Sequence, residues 1–212
     1  MNISPTEFAS LLCSRLCHDL LSPVGALNNG LELLADEQDP EMRARCLELL
    51  NDSARASANK LKFFRLAFGA AGGFGEMVDA REAQIAIEGL FGDNQRITVG
   101  WMVEEPALPK QAIKVLLNLA LIAGDALVRG GQLDIGAEVQ DQHVEVVVRA
   151  DGSRIVLDPE LRNALTGGDA PVTPRSATAF LVRELVEQGG GQLQVSPPDA
   201  GVLLFGASFR VD

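Results

Sequence analysis

Residues 4–40 decide the fold and read SPTEFASLLCSRLCHDLLSPVGALNNGLELLADEQDP. Ser4-Pro5-Thr6-Glu7 is a helix-start signature, because it combines a capping serine, a proline at the first helical position and a glutamate at the third. Asp39-Pro40 repeats the cap-then-proline pattern. The sequence therefore predicts two long helices joined by a short turn near Gln38, the second of them ending at Gly69.

Both predicted helices carry a stripe of residues at helical spacing, which indicates a packed face. The first stripe comprises Leu12, Leu16, Leu20, Val24, Leu27, Leu31 and Leu34, and the second Met42, Cys46, Leu49, Leu50, Ser53, Ser57, Leu61, Phe64 and Phe68. A single two-helix hairpin leaves part of such stripes uncovered. We therefore expect a homodimer in which two hairpins form a four-helix bundle.

The chain changes character after this hairpin. Residues 70–75 read AAGGFG, a run of small residues typical of a linker. Beyond it the patterns predict strands over 76–79, 97–103, 132–137, 144–149, 192–196 and 202–211, and helices over 80–91, 109–128, 159–165 and 176–188. We expect two domains, an α-helical hairpin over 1–69 and a two-layer α/β sandwich with a mixed sheet over 76–212.

Charge and composition exclude several classes of partner. The 212 residues carry a net charge of −11, and only 5% are aromatic. Nucleic acids are bound by clustered basic and aromatic side chains, so no nucleic-acid partner is expected. The N-terminus lacks the basic segment of a signal peptide, and the apolar runs are too short to span a membrane. With three cysteines, an odd number, the sequence favours a reducing, cytoplasmic compartment.

The charge is unevenly divided between the two predicted domains. Residues 1–69 carry seven basic and nine acidic side chains, whereas residues 70–212 carry 11 basic and 20 acidic ones. The hairpin is therefore nearly neutral, and the second domain has a net charge of −9, which would repel a polyanion such as a nucleotide.

Of the two histidines, His18 is the candidate functional residue. It lies on the opposite side of the helix from the apolar stripe, on a face that continues through Ser22, Gly25 and Asn29. Pro23 and Gly25 are both unfavourable inside a helix, which indicates a site beside His18. Asp19 is a carboxylate able to orient or deprotonate the ring. The alternative is an exposed histidine without a role, which is also our interpretation of His143, in a turn or at a strand edge.

A metal site is a further alternative at this point of the chain. Cys13 and Cys17 are four residues apart and precede His18. We expect both cysteines on the core side of the helix, as small apolar residues, with His18 pointing away from them. Few other soft ligands are present to complete a tetrahedral set, so no metal is expected.

The run His18-Asp19-Leu20-Leu21-Ser22-Pro23 resembles the H-box of sensor histidine kinases, H-[DE]-L-x-x-P, on the first helix of a dimeric hairpin. In that family a Bergerat-type ATP-binding domain follows, and the predicted order of elements after residue 75 is similar. Residues 18–34, ahead of a degenerate domain of this kind, resemble the ChpT family of alphaproteobacterial histidine phosphotransferases.

The resemblance fails at the nucleotide motifs of the kinases. Ile122 stands where the family has its Mg²⁺-binding asparagine, one turn after Asn118. Ala150 stands at the adenine-binding aspartate, in Ala150-Asp151-Gly152-Ser153-Arg154. Ser176 and Thr178 replace phosphate-loop glycines. The resemblance thus implies a chain that does not use ATP and has no cofactor of its own.

The same resemblance implies a function. His18 would be the nucleophile that accepts a phosphoryl group from the receiver domain of a hybrid histidine kinase and passes it to response regulators of the cell cycle, with Mg²⁺ supplied by the partner receiver domain. Ser22, Gly25 and Asn29 would form the docking surface. Arg55, Lys60 and Lys62 lie near the level of His18 in the hairpin, and at least one of them would steer the receiver or the phosphate, unless they are merely solvated helix charges.

Two alternatives to this function stay open at the level of sequence. One is an ATP-dependent histidine kinase with unrecognised nucleotide chemistry. The other is a non-catalytic dimeric scaffold that sequesters regulators.

Overall fold

The computed structural model of the chain describes residues 3–69, 76–92, 96–197 and 201–211. The predicted linker 70–75 lies outside the described residues. Two helices, α1 (Pro5–Asp36) and α2 (Pro40–Ala67), form an antiparallel hairpin. Ser4 accepts a hydrogen bond from the Glu7 amide, and Asp39 accepts from the amides of Glu41 and Met42. The predicted caps therefore begin both helices.

The predicted stripes are only partly buried within one chain. Pro23 and Gly30 are buried on α1, and Cys46 and Ser53 on α2. By contrast, five residues of the predicted core stripes are exposed by 44–56%: Val24, Leu31, Met42, Leu49 and Leu61. Part of each stripe is therefore left without cover within one chain, as expected for a single two-helix hairpin.

The second part of the chain is an α/β sandwich. Its main sheet has the strand order β2 (Ile97–Trp101), β4 (Gly131–Gln140), β5 (His143–Asp151), β7 (Leu203–Arg210) and β6 (Gln192–Val195). The β2–β4 pair is parallel and the others are antiparallel, so the sheet is mixed as predicted. Burial alternates along β5 and β7, which places one face of the sheet against helices and the other toward solvent.

The described residues of this domain form the helices α3 (Ala80–Phe91), α4 (Lys110–Ala126), α5 (Pro159–Leu165) and α6 (Ala177–Gln188). A further strand, β3 (Ala107–Pro109), pairs with β1 (Met77–Asp79) and was missed in the sequence because three residues are too few to show alternation. The fold class, a helical hairpin followed by a Bergerat-like α/β sandwich, is confirmed.

The end of α2 is packed into the α/β domain. Phe63, Phe64 and Leu66 belong to the same hydrophobic cluster as the buried residues of α4 and the sheet, and they are almost completely inaccessible. Asn118 of α4 is fully buried and donates to the carbonyl of Ala67 at 3.2 Å. One continuous core therefore joins the hairpin to the domain. Among the described residues, no helix is both long and apolar enough to cross a bilayer.

Candidate functional site

His18 projects from α1 into a cleft between the hairpin and the α/β domain. Its side chain is 84% exposed, as its position on the helix predicted. The cleft has a volume of about 770 Å³, and its opposite wall includes Leu157, Thr173 and Arg175. A nucleophile in this position is open to a macromolecular partner, because no part of the described chain covers the ring.

Asp19 contacts the ring of His18 directly. Its Oδ1 lies 3.1 Å from Nδ1 of His18, while its Oδ2 accepts from Nε of Arg15 at 2.8 Å. A carboxylate paired with a guanidinium is an acceptor, so Nδ1 of the ring is the donor in the first contact. The neutral tautomer that makes this hydrogen bond carries its lone pair on Nε2, the ring atom available for nucleophilic attack.

Arg15 links this pair to the α/β domain. Its terminal nitrogen Nη2 donates to Oδ2 of Asp125 in α4 at 3.2 Å. Burial lowers the pKa of Arg15, but the hydrogen bonds and charges of Asp19 and Asp125 outweigh burial and raise the pKa above its ordinary value. The pKa of Asp125 is raised by desolvation among the surrounding protein atoms, against the opposing pull of Arg15 and Lys60, although 52% of its side chain remains accessible along the cleft.

Lys60 lies beneath the site rather than on its surface. It is partly buried in α2, and its Nζ donates to the backbone carbonyl of Asp19 at 2.8 Å. Pro23, four residues after Asp19, has no N–H to offer that carbonyl. Lys60 therefore supplies the hydrogen bond that the proline removes, directly behind His18.

The other predicted docking residues lie on the two helices of the hairpin and do not line the cleft. Ser22 and Asn29 are exposed, and Gly25 has no atom within 4 Å of the position its Cβ would take. Arg55 is exposed and pairs with Asp52 at 2.8 Å, and Lys62 is exposed. The geometry brings Ser22, Gly25 and Asn29 to one helix face with His18, and their role in docking stays a prediction.

The cysteines lie differently from expectation. Cys13 and Cys17 are exposed and only Cys46 is buried, so the placement of the first two on the core side was wrong. Both side chains are therefore accessible to solvent within one chain. Among the described residues, no cluster of three or more His, Cys, Asp or Glu side chains is close enough to hold a metal ion. His143 contacts Ser208 at 2.6 Å and is exposed, as predicted for a surface residue.

The residues that the resemblance places at the nucleotide motifs of the kinases are all buried, and none of them presents a carboxylate. Ile122 is 2% exposed and offers no oxygen ligand, and Ala150 is fully buried in β5. Ser176 and Thr178 are each 1% exposed, and the Ser176 hydroxyl accepts from the amide of Thr173. Side chains therefore occupy positions where bare backbone would cradle phosphates, and no carboxylate is present at the adenine position.

Arg15 and Asp125 were missed as site residues. Two signals in the sequence could have found them. Arg15 and Asp19 stand four residues apart on a helix, the spacing of an ion pair. Asp125 is the single carboxylate of the largely buried, apolar helix α4, where a charge without a partner would be costly.

Comparison with known proteins agrees with this geometry. Residues 80–201 match the family described as "Histidine phosphotransferase C-terminal domain". The protein phosphotransferase ChpT of Brucella abortus is 34% identical over 198 residues, covering 92% of each chain. The chain also spans 31% of the sensor protein CreC of Escherichia coli, at 29% identity over 153 residues.

A solved structure described as a bacterial phosphotransferase superposes with a TM-score of 0.85 over 98% of both chains, at 32% identity. These likenesses favour phosphotransfer over the kinase and scaffold alternatives. The chain belongs to the histidine phosphotransferase family.

Proposed function

We propose that this protein relays phosphoryl groups between receiver-domain aspartates through a phosphohistidine at His18. The observation that carries the proposal is the pairing of Nδ1 of His18 with Asp19 on a ring that is 84% exposed. This arrangement directs the lone pair of Nε2 outward and presents it to a docked domain. Membership of the histidine phosphotransferase family supports the same chemistry.

The transfer step needs little activation of the nucleophile. A neutral imidazole carries a nucleophilic lone pair on one ring nitrogen and does not have to lose a proton before attack. Nε2 attacks phosphorus, the N–P bond forms, and the P–O bond to the receiver aspartate breaks, with its electron pair left on the leaving carboxylate. The imidazolium that develops keeps its Nδ1 proton, which Asp19 stabilises as a hydrogen-bond acceptor. Transfer to the next receiver reverses these events.

Receiver domains are the proposed partners. Phosphoryl transfer depends mainly on positioning and charge stabilisation, and the Mg²⁺ of a receiver's own acidic pocket would supply much of the latter. Ser22 and Gly25 are small, and no atom lies within 4 Å of the position of a Gly25 Cβ, so a partner domain can approach this face of α1 closely. Arg55 and Lys62 lie on exposed turns of α2, where their charges can attract an acidic receiver.

We further propose that the protein does not bind ATP. The buried side chains of Ile122, Ala150, Ser176 and Thr178 support this, since they remove the metal ligand, the adenine acceptor and the open phosphate loop. Nucleotide titration should show no binding even at millimolar ATP and Mg²⁺, whereas saturable binding would revive the kinase alternative. The three free cysteines fit a reducing cytoplasm as the site of action.

A homodimer is proposed as the working unit. Val24, Leu31, Leu49 and Leu61 are 45–56% exposed along the hairpin, which is unfavourable for an isolated protein surface. A second hairpin presents the same residues and would complete a four-helix bundle.

The decisive experiment follows labelled phosphate from a phosphorylated receiver domain. Wild type and His143→Ala should acquire acid-labile, base-stable phosphate, and His18→Ala should acquire none while keeping its helical circular dichroism. His143 is the matched control because it is the other histidine of the chain and lies on β5. Labelling of His18→Ala at the wild-type rate, or no labelling of wild type by any receiver tested, would reject the proposal, the latter in favour of a scaffold.

A further inference from the structure

Arg15 stands between two carboxylates that come from different parts of the fold. It contacts Asp19, one turn further along α1, and Asp125, in α4 of the α/β domain. The side chains of Arg15 and Asp19 are each only 16% exposed, so solvent screens their contact weakly. The Asp125 contact crosses the boundary between the hairpin and the domain and lies at the floor of the His18 cleft.

The ring of His18 depends on Asp19 for its orientation. With 84% of its side chain in solvent, the ring has its one hydrogen bond within the described chain at Asp19. Asp19 in turn has few ways to keep Oδ1 aimed at Nδ1, because a helix carboxylate can rotate among several rotamers. The contact from Nε of Arg15 to Oδ2 removes that freedom.

Arg15 would itself be mobile without Asp125. The contact with Asp19 alone restrains the guanidinium from one side only, because Asp19 belongs to the same helix as Arg15. A second carboxylate on a different element restrains the guanidinium from another direction, since the planar group donates to both at once. A continuous series of contacts therefore runs from Asp125 through Arg15 and Asp19 to Nδ1 of His18.

We propose that Asp125 is a positioning residue for phosphoryl transfer, acting through Arg15 and Asp19 on the orientation and tautomer of His18. This inference rests on the proposed function of His18. It assigns the α/β domain a part in the reaction that does not involve a nucleotide, because α4 holds in place the residues that prepare the nucleophile.

The test compares Asp125→Ala and Asp125→Asn with wild type in single-turnover transfer from a phosphorylated receiver, over a range of receiver concentrations. We expect the rate constant at saturating receiver to fall by about tenfold or more in Asp125→Ala, because small misplacements of a reacting group are costly, with a smaller loss in Asp125→Asn. The receiver concentration at half-maximal rate should not change. In ¹⁵N spectra of the ring, the Nδ1–H tautomer of His18 should lose population.

The control is Glu82→Gln, which breaks another ion pair between hairpin and domain, that of Glu82 with Arg65, in which neither residue lines the His18 cleft. This variant should transfer at the wild-type rate. The inference is overturned if Asp125→Ala transfers normally, if its tautomer population is unchanged, if the loss lies in receiver affinity, or if Glu82→Gln loses as much. Because His18→Ala tests the proposed function separately, a normal Asp125→Ala with an inactive His18→Ala rejects the positioning role alone.

Discussion

The ammonium group of Lys60 occupies the place of a missing backbone donor, 2.8 Å from the carbonyl of Asp19. In a regular helix that carbonyl would accept from residue 23, but Pro23 has no N–H. The bond joins α2 to the turn of α1 that carries His18. It therefore compensates for the backbone hydrogen bond that Pro23 removes from the interior of the 32-residue helix α1.

Lys60→Met tests this relationship, since methionine keeps most of the aliphatic chain and loses the donor. We expect a loss of about 1–2 kcal/mol in the free energy of unfolding, because a partly buried carbonyl is left unpaired. Pro23→Ala restores the helical N–H, so in that background the cost of Lys60→Met should shrink by about 1 kcal/mol. Urea denaturation of the four proteins measures this coupling. Additive effects would show that Lys60 does not replace the proline's missing bond.

Two helical glycines should respond in opposite ways to alanine. Gly25 has open space around its Cβ position, so Gly25→Ala should raise stability by about 0.5–1 kcal/mol through lower backbone entropy in the unfolded chain. At Gly124 a Cβ would overlap the Phe91 ring, so Gly124→Ala should cost about 1–3 kcal/mol. Thermal unfolding of the two variants checks both predictions.

If Gly25 lies in the docking surface, the Gly25→Ala variant should bind receivers more weakly even though it is more stable. Unchanged receiver binding by Gly25→Ala would show that Gly25 is not part of the docking surface.

The proposed dimer is tested by one charge on the uncovered stripe. Leu31→Glu places a carboxylate where we expect a partner hairpin, and light scattering after size exclusion should report a monomer. Leu33→Glu is the matched control, because Leu33 is 61% exposed and lies on the opposite side of α1, two residues further on. A dimeric Leu31→Glu, or a monomeric wild type, would contradict the bundle.

Charge steering by α2 predicts a salt-dependent rate. Reversing both Arg55 and Lys62 to Glu should slow association with an acidic receiver by about tenfold at low ionic strength, and the difference should fade as salt screens the charges. Arg210→Glu is the control, because it also reverses a positive charge but does so on β7, opposite His143 at the start of β5, and not on α2. An identical rate and salt dependence in the double variant would assign Arg55 and Lys62 to the solvated helix surface.

Local signals in the sequence predicted much of the fold. The bounds of α3 and α5 agree with prediction because Asp79 and Asp158 cap them through side-chain contacts that are encoded within a few residues. His18 was predictable for the same reason, since its exposure follows from helical periodicity alone. Apolar spacing predicted a packed face on α1, but it could not show which residues of the stripe are covered within one chain and which, like Val24 and Leu31, are exposed.

The connections of the site were not predictable in this way. Arg15 and Asp125 are separated by 110 residues in sequence, and their contact depends on how α4 packs against the hairpin. Lys60 was expected at the surface because it is charged and near His18. Only the three-dimensional structure shows that its ammonium group turns inward to a carbonyl.

The burial of Phe63, Phe64 and Leu66 in the core of the α/β domain has a consequence for how the chain can evolve and unfold. A chain cut after Gly69 would present these side chains to water, so the hairpin depends for solubility on a segment outside it. The two parts should melt together as one cooperative unit. Single substitutions can change the chemistry of the cleft and leave this core intact. Deletion of the α/β domain, by contrast, would expose the apolar side chains at the end of α2.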